Sequence, residues 1–392
     1  VINNSTMADD EQHLSKRARV EEEKKEEEKE TSKEAEENFD VNNDDDDDDG
    51  DEYRSNALLS HLAHLNVTHL KPRPSRAIKE NHGQSFWAGI VVVLADHTFQ
   101  RALHTLRDQG VLSAPVLRHG TFVGFVDMLF IVQHYLTLLH ANSPPPGRTL
   151  QEHAAHLAAQ GLFENAQLSD ELERMSLAGA AHPIGQNHSL LFAAELLAGG
   201  DVHRASVVDH RGRVCSLVTE SMLLAHIGKQ RALLDRLPLA KVSVGELPPT
   251  RFLEPAPAVV HTISRNMCVH EALSVLSAKC ISGAPVVDDR GYVVDALSIR
   301  DFRLIEPEHT ATLDYLFESV LDFKKRARAS LPSGSVPAAP ITVLPDATLH
   351  SVIDLMNQHH VHRVYVIRST EEPVPIRVIS QGDVLRQLLR RS

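Results

Sequence analysis

Two short motifs in the C-terminal half carry residue types suited to holding a ligand: Ser298-x-x-Asp301 and Ser380-x-x-Asp383. A carboxylate accepts hydrogen bonds from a pair of hydroxyls, and the free amides of a helix start favour phosphate or another anion. The same spacing is also a capping box, in which Ser and Asp satisfy the helix start and no ligand is needed. Two dipeptides, His203-Arg204 and His362-Arg363, add cationic chemistry. A guanidinium forks onto phosphate oxygens and an imidazole adds a short donor beside it. The plain alternative is a pair of surface bases flanking a strand. Arg300, Arg303, Arg377 and Arg386 lie near the same helix starts as further candidates for phosphate contact.

Other chemistries lack their residues. No Gly-rich phosphate loop, no P-loop and no nucleophile with a paired base stands out, so the chain reads as non-catalytic. The three cysteines, Cys215, Cys268 and Cys280, have no metal-ligand spacing and fit a reducing compartment. His359-His360 and His362 have no Cys or carboxylate at zinc-site spacing and read as a solvated helix end. The longest apolar stretch, Phe86–Ala95, is too short to span a bilayer. The first residues lack the apolar core of a signal peptide, and Met7 reads as the natural start. The expected location is cytoplasmic.

The candidate residues fall at equivalent points of a four-fold internal echo. Each copy opens a helix with a capping residue and apolar side chains at i, i+3, i+4 and i+7. These are Thr98 with Phe99, Ala102, Leu103 and Leu106; Ser189 with Leu190, Ala193, Ala194 and Leu197; Cys268 with Val269, Ala272, Leu273 and Leu276; and Thr348 with Leu349, Val352, Ile353 and Met356. A first strand follows at Pro115–Leu117, Ala205–Val208, Pro285–Val287 and Val364–Ile367. Gly-containing turns at Gly120, Gly212 and Gly291, and a longer Ser369–Pro375 loop in the fourth copy, lead to a second strand. A closing helix starts near Met128, Glu220, Ile299 and Gln381. The order is β-α-β-β-α, an α/β unit with helices against a small sheet.

The Ala-Leu helix, the Ala-Pro-Val strand, the Gly turn and the Ser/Thr-x-x-Asp helix start together resemble the CBS (cystathionine-β-synthase-type) domain. The resemblance covers roughly residues 85–390. It implies two Bateman modules, each of paired units, stacked as a flat disc, as in the gamma subunits of AMP-activated, SNF1-type protein kinases. It further implies an adenine nucleotide (AMP, ADP or ATP) as regulatory ligand, with no covalent cofactor. Carried over by motif, Ser298, Asp301, Ser380 and Asp383 would hold the ribose. His203-Arg204 and His362-Arg363 would face phosphates near the disc centre, and Thr219 keeps the Ser/Thr position of copy two. This chain departs from the pattern at Asp127 and Phe130 in copy one and at Met222 in copy two. Leu112-Ser113 stands where the resembled subunits carry an arginine, so the positive centre is thinner.

Composition divides the chain. Residues 1–56 hold 22 acidic against 8 basic residues, including Asp44–Asp49, whereas the remainder is nearly balanced. With so few large apolar residues, the tail is expected to be disordered. It is a solubilising arm or a lure for basic partners, and Lys16-Arg17-Ala18-Arg19 resembles a minimal nuclear-import patch. The expected domains are 1–56 acidic tail, 57–140 N-terminal helix and first unit, 141–237 linker and second, 238–308 linker and third, and 309–392 linker and fourth. Residues 57–70 read as an amphipathic helix packed on the first unit. Two functions follow: a nucleotide-sensing regulator with kinase catalytic and scaffold subunits as partners, or a ligand-free scaffold for protein–protein interaction. Neither needs a membrane or direct nucleic-acid binding.

Overall fold

The computed structural model describes residues 50–70, 86–87, 90–141, 144, 146–171, 183–199, 202–247, 260–305, 313–330 and 339–390. The acidic run, the basic patch, and residues 248–259 and 331–338 of the connections before copies three and four lie outside them. After helix α1 (Gly50–His64), copy one comprises β1 (Val93–Leu94), α2 (Phe99–Asp108), β2 (Ser113–Arg118), β3 (Thr121–Asp127) and α3 (Met128–Ala141). Helix α4 (Leu150–Ala159) lies in the first connection. Copy two comprises β4 (Ile184–Gly185), α5 (Leu190–Ala198), β5 (Arg204–Val208), β6 (Val214–Thr219) and α6 (Glu220–Lys229). Copy three has β7 (Ile263–Ser264), α7 (Val269–Ala278), β8 (Gly283–Val287) and β9 (Val293–Ser298), and helix α8 (Val320–Ser330) follows it. Copy four has β10 (Thr342–Val343), α9 (Leu349–His359), β11 (Arg363–Ile367), β12 (Pro375–Ser380) and α10 (Gln381–Leu388).

Each copy builds the same three-stranded sheet, with the short entry strand parallel and the hairpin antiparallel. All four cap positions hold: Thr98, Ser189 and Thr348 accept from the amides of Arg101, Phe192 and Ser351 at 3.2, 3.1 and 3.2 Å, and Cys268 caps α7 with its amide donating to Glu271 Oε2 at 3.3 Å. The apolar positions of α2, α5, α7 and α9 are buried, so hydrophobic periodicity turns these helices onto their sheets.

Two expectations are corrected. Copy three closes on a short 3-10 segment, Ile299–Leu304, rather than an α-helix, because Pro307 stops any helix begun at Ile299 before two turns are complete. Helix α1 packs on copy two, not copy one. Leu58 and Leu62 join the copy-two core, and the Val67 amide donates to His188 O at 2.9 Å.

The units close on one another in a ring that runs one, two, four, three. Helix faces of copies one and three share a core containing Phe99, Ile131, Leu273 and Phe302. Those of copies two and four share a second, containing Leu190, Leu224, Val352 and Val384. Sheets of copies one and two meet through Ile90, Val92, Leu117 and Val214. Copies three and four are joined where the Val293 amide donates to Pro373 O at 2.9 Å.

Candidate anion-binding site at the centre of the ring

Strand register places the candidate residues. In every hairpin the first residue of the first strand pairs with the residue that opens the closing helix: Ser113 with Asp127, Arg204 with Thr219, Gly283 with Ser298, Arg363 with Ser380. Copies two and four therefore present an arginine where copies one and three present Ser113 and Gly283. The small residues leave room for the arginine of the neighbouring unit. Arg204 Nη2 lies 3.2 Å from Asp127 Oδ2 in copy one, with its guanidinium 6.0 Å from the Phe125 ring centre. Arg363 Nη2 donates to Ser282 Oγ in copy three. A Cβ on Gly283 would collide with the Arg363 guanidinium and sit 2.7 Å from Leu297 O. Gly283 is thus the passage through which Arg363 reaches across.

Both arginines keep a donor in hand. Arg204 Nη1 and Arg363 Nη1 are buried and have no hydrogen-bond partner among the described residues. A buried donor left unpaired costs roughly 1–3 kcal/mol, so it points to a partner that arrives from outside. Around them stand further basic side chains. His362 keeps an accessible face yet lies in a crowded recess. Loss of hydration there, followed by Arg363, Arg300, Arg204 and His203, pushes its pKa down to about 4. His203 Nδ1 is 3.1 Å from Glu220 Oε1. The His-Arg pairs of copies two and four and Arg300 of copy three are therefore brought together, with Asp127 of copy one against them.

The depressed His362 pKa has a testable sign. The unfolded chain takes up this proton near the ordinary value of 6.5, and the folded chain near 4. Stability contributed by the neutral ring is present above pH 6.5 and is lost as pH falls towards 4. An anion at the site reverses the local field, so binding is expected to take up a proton between about pH 4 and 7. Affinity for inorganic pyrophosphate should then rise on acidification in the native chain and lose that slope in His362→Gln. Calorimetry in buffers of different ionisation enthalpy checks it, and an equal slope in both proteins would refute the assignment.

The carboxylate positions are built differently from the cationic ones. Asp301 is buried, accepts from the Ser298 amide at 2.9 Å, and lies 3.0 Å from Lys324 Nζ on α8. Asp383 accepts from the Ser380 amide and hydroxyl at 2.8 and 2.7 Å, with Arg386 Nη2 at 2.9 Å. Both motifs are thus capping boxes, and each carboxylate also holds a cation of its own chain. Thr219 caps α6 by accepting from the Met222 amide at 3.2 Å. The helix starts of copies two and four meet where Ser221 Oγ donates to Gln381 Oε1 at 2.7 Å. Asp127 caps α3 through the Phe130 amide at 2.8 Å, and Arg204 neutralises its charge.

Of the accessory arginines, Arg377 is spent on the second linker, donating to Val244 O at 2.8 Å. Arg386 serves Asp383 and Ala198 O. Arg303 is turned onto Arg300 O at 3.0 Å, and burial lowers its pKa to about 10. Sequence reasoning missed α8, whose Lys324 and Arg328 pair with Asp301 and Asp295 at 3.0 and 2.6 Å. The signal was the buried spacing of Val320, Phe323 and Ala327 around a basic run.

Residues 335–390 match the CBS domain family model. Residues 335–390, copy four, are accordingly a CBS domain, and copies one to three repeat its three-stranded sheet. The chain resembles the gamma subunits of AMP-activated, SNF1-type kinases. It is 26% identical over 314 residues, 77% of its length, to the 5'-AMP-activated protein kinase subunit gamma of Dictyostelium discoideum, of which it spans 50%. Over 133 residues, 33% of the chain, it is 31% identical to an Arabidopsis thaliana SNF1-related protein kinase regulatory subunit gamma-1-like protein, of which it spans 29%. The chain thus covers half or less of these curated relatives. Its fold matches that of a Methanocaldococcus jannaschii protein proposed as an archaeal homologue of the AMP-activated kinase gamma subunit, with TM-score 0.57, 16% identity, and coverage of 82% of this chain and 99% of that one.

Proposed function

We propose that this chain is a non-catalytic, adenine-nucleotide-sensing regulator, working as a gamma-like subunit with a kinase catalytic subunit and a scaffold subunit. The observation that carries the reading is the pair of buried, unpartnered guanidinium donors, Arg204 Nη1 and Arg363 Nη1. They stand beside His362 at the meeting point of the units and offer forked donors to phosphate oxygens. Ser298, Asp301, Ser380, Asp383 and Thr219 lie at the neighbouring helix starts, where the nucleoside would sit. A nucleotide bound there acts by differential affinity, favouring one arrangement of the ring and its partner over another. The kinase partnership rests on the curated relatives, and a cytoplasmic location with nuclear access through Lys16-Arg17-Ala18-Arg19 belongs to the same proposal.

Calorimetry of the full chain with AMP, ADP and ATP tests the ligand. Arg363→Ala is expected to weaken binding by about 10-fold or more, the loss of one charge-assisted hydrogen bond of about 1.5–3 kcal/mol. Heat absent at millimolar nucleotide, or unchanged in Arg363→Ala, rejects the sensor. A second reading, the ligand-free scaffold, draws on a specific observation: Asp301 is occupied by Lys324, and Arg204 is in part occupied by Asp127. Partner capture in the absence of any nucleotide response would select it.

A further inference from the structure

A pair of histidines outside the ring-centre site carries a second inference. His61 on α1 and His226 on α6 bring their Nε2 atoms to 3.3 Å, with near-parallel rings inclined by 15° and ring centres 5.5 Å apart. They come from positions 165 residues apart in the chain, so the encounter is made by the fold and not by local sequence. Two imidazole nitrogens each about 2.0–2.1 Å from one zinc ion at the tetrahedral angle would lie about 3.3–3.4 Å apart. The spacing already present is that bite.

We infer that His61 and His226 form a two-point site for a borderline transition cation such as Zn2+, which would clip α1 to α6. Burial, then His64, lowers the pKa of His61; burial, then His61, Lys229 and His69, lowers that of His226. Both rings are therefore neutral at pH 7, the form that binds metal. A ring-to-ring hydrogen bond uses one proton and one lone pair, whereas a cation takes a lone pair from each. Imidazole pairs suit Zn2+, Cu2+ or Ni2+, while Mg2+ and Ca2+ want oxygen. No three His, Cys, Asp or Glu donors converge on a metal position among the described residues, so water completes the coordination. Nearby, His64 Nδ1 is engaged with Ser60 O at 2.7 Å, one turn from His61 on the same helix.

The experiment uses the full chain, stripped with a chelator, and Zn2+ alone. Calorimetry is expected to show a one-to-one event, and thermal unfolding a rise in Tm that Mg2+ does not produce. His61→Ala and His226→Ala should each weaken the event by at least the roughly 10–100-fold that loss of an outer partner already costs. His359→Ala should leave it intact. Cu2+ electron paramagnetic resonance adds a ligand count, with two coupled nitrogens in the native chain and one in His61→Ala. No one-to-one event in the native chain, or an event and Tm rise that survive His61→Ala, overturns the site. Should His226→Ala fail to fold, His61→Ala decides alone.

Discussion

Replacing Lys324 with alanine is expected to cost about 3–5 kcal/mol of stability, the penalty for leaving one partner of a buried ion pair without the other. The Lys324 and Asp301 side chains are only 4% and 10% exposed and their charges lie 3.0 Å apart. Once the ammonium is gone, the Ser298 amide is the donor left to the carboxylate among the described residues, too little to offset its lost hydration. The double replacement Lys324→Met with Asp301→Leu removes both charges and should recover most of that loss, since such swaps are often neutral or stabilising. Urea unfolding of the native chain, Lys324→Met, Asp301→Leu and the double variant measures the coupling. A loss below about 1 kcal/mol in Lys324→Ala would mean water reaches the pair and it behaves as a surface one.

Phe99→Ala is the second large effect, at about 3–5 kcal/mol. Phe99 is fully buried at the start of α2. Its ring stacks on His134 at 3.7 Å and 4°, lies 5.7 Å from Phe130, and is tilted against Phe163 at 6.5 Å. The void would open in the core shared by copies one and three, where three aromatic neighbours have little freedom to collapse. Phe192→Ala is the internal control: that ring is 43% exposed, and its removal should change stability by about 0.5 kcal/mol or less. Equal losses in the two variants would show that the shared core is not where the stability resides.

Much of the fold was legible because it is written in short-range chemistry. Thr98, Ser189 and Thr348 announce helix starts through a hydroxyl that reaches an amide three residues on. His119-Gly120 announces a hairpin through two positive φ values, 51° and 80°. The four apolar stripes fix which helix face is buried. What stayed hidden was set by pairing across distance. Nothing near Asp301 in the sequence reveals that Lys324 neutralises it, because the pairing depends on where α8 docks. The passage of Arg363 over Gly283 depends likewise on how copies three and four face each other. The departures at Asp127 and Phe130 were visible as departures, but not the compensation: Arg204 offsets the charge of Asp127 from the next unit. The docking of α1 on copy two was hidden as well, since an amphipathic stripe says which side is buried and not against what.

The ring order one, two, four, three has a consequence for how the chain acquires its structure. Each of the two large cores joins copies from opposite halves of the sequence, so the contacts that complete them are of high contact order and form late. A nascent chain that has emerged only through copy two presents the helix faces that copies three and four will later cover. The two halves are in effect complementary fragments. Cut within residues 248–259 and produced together, they should find each other by burying those faces, while either half made alone should be prone to self-association.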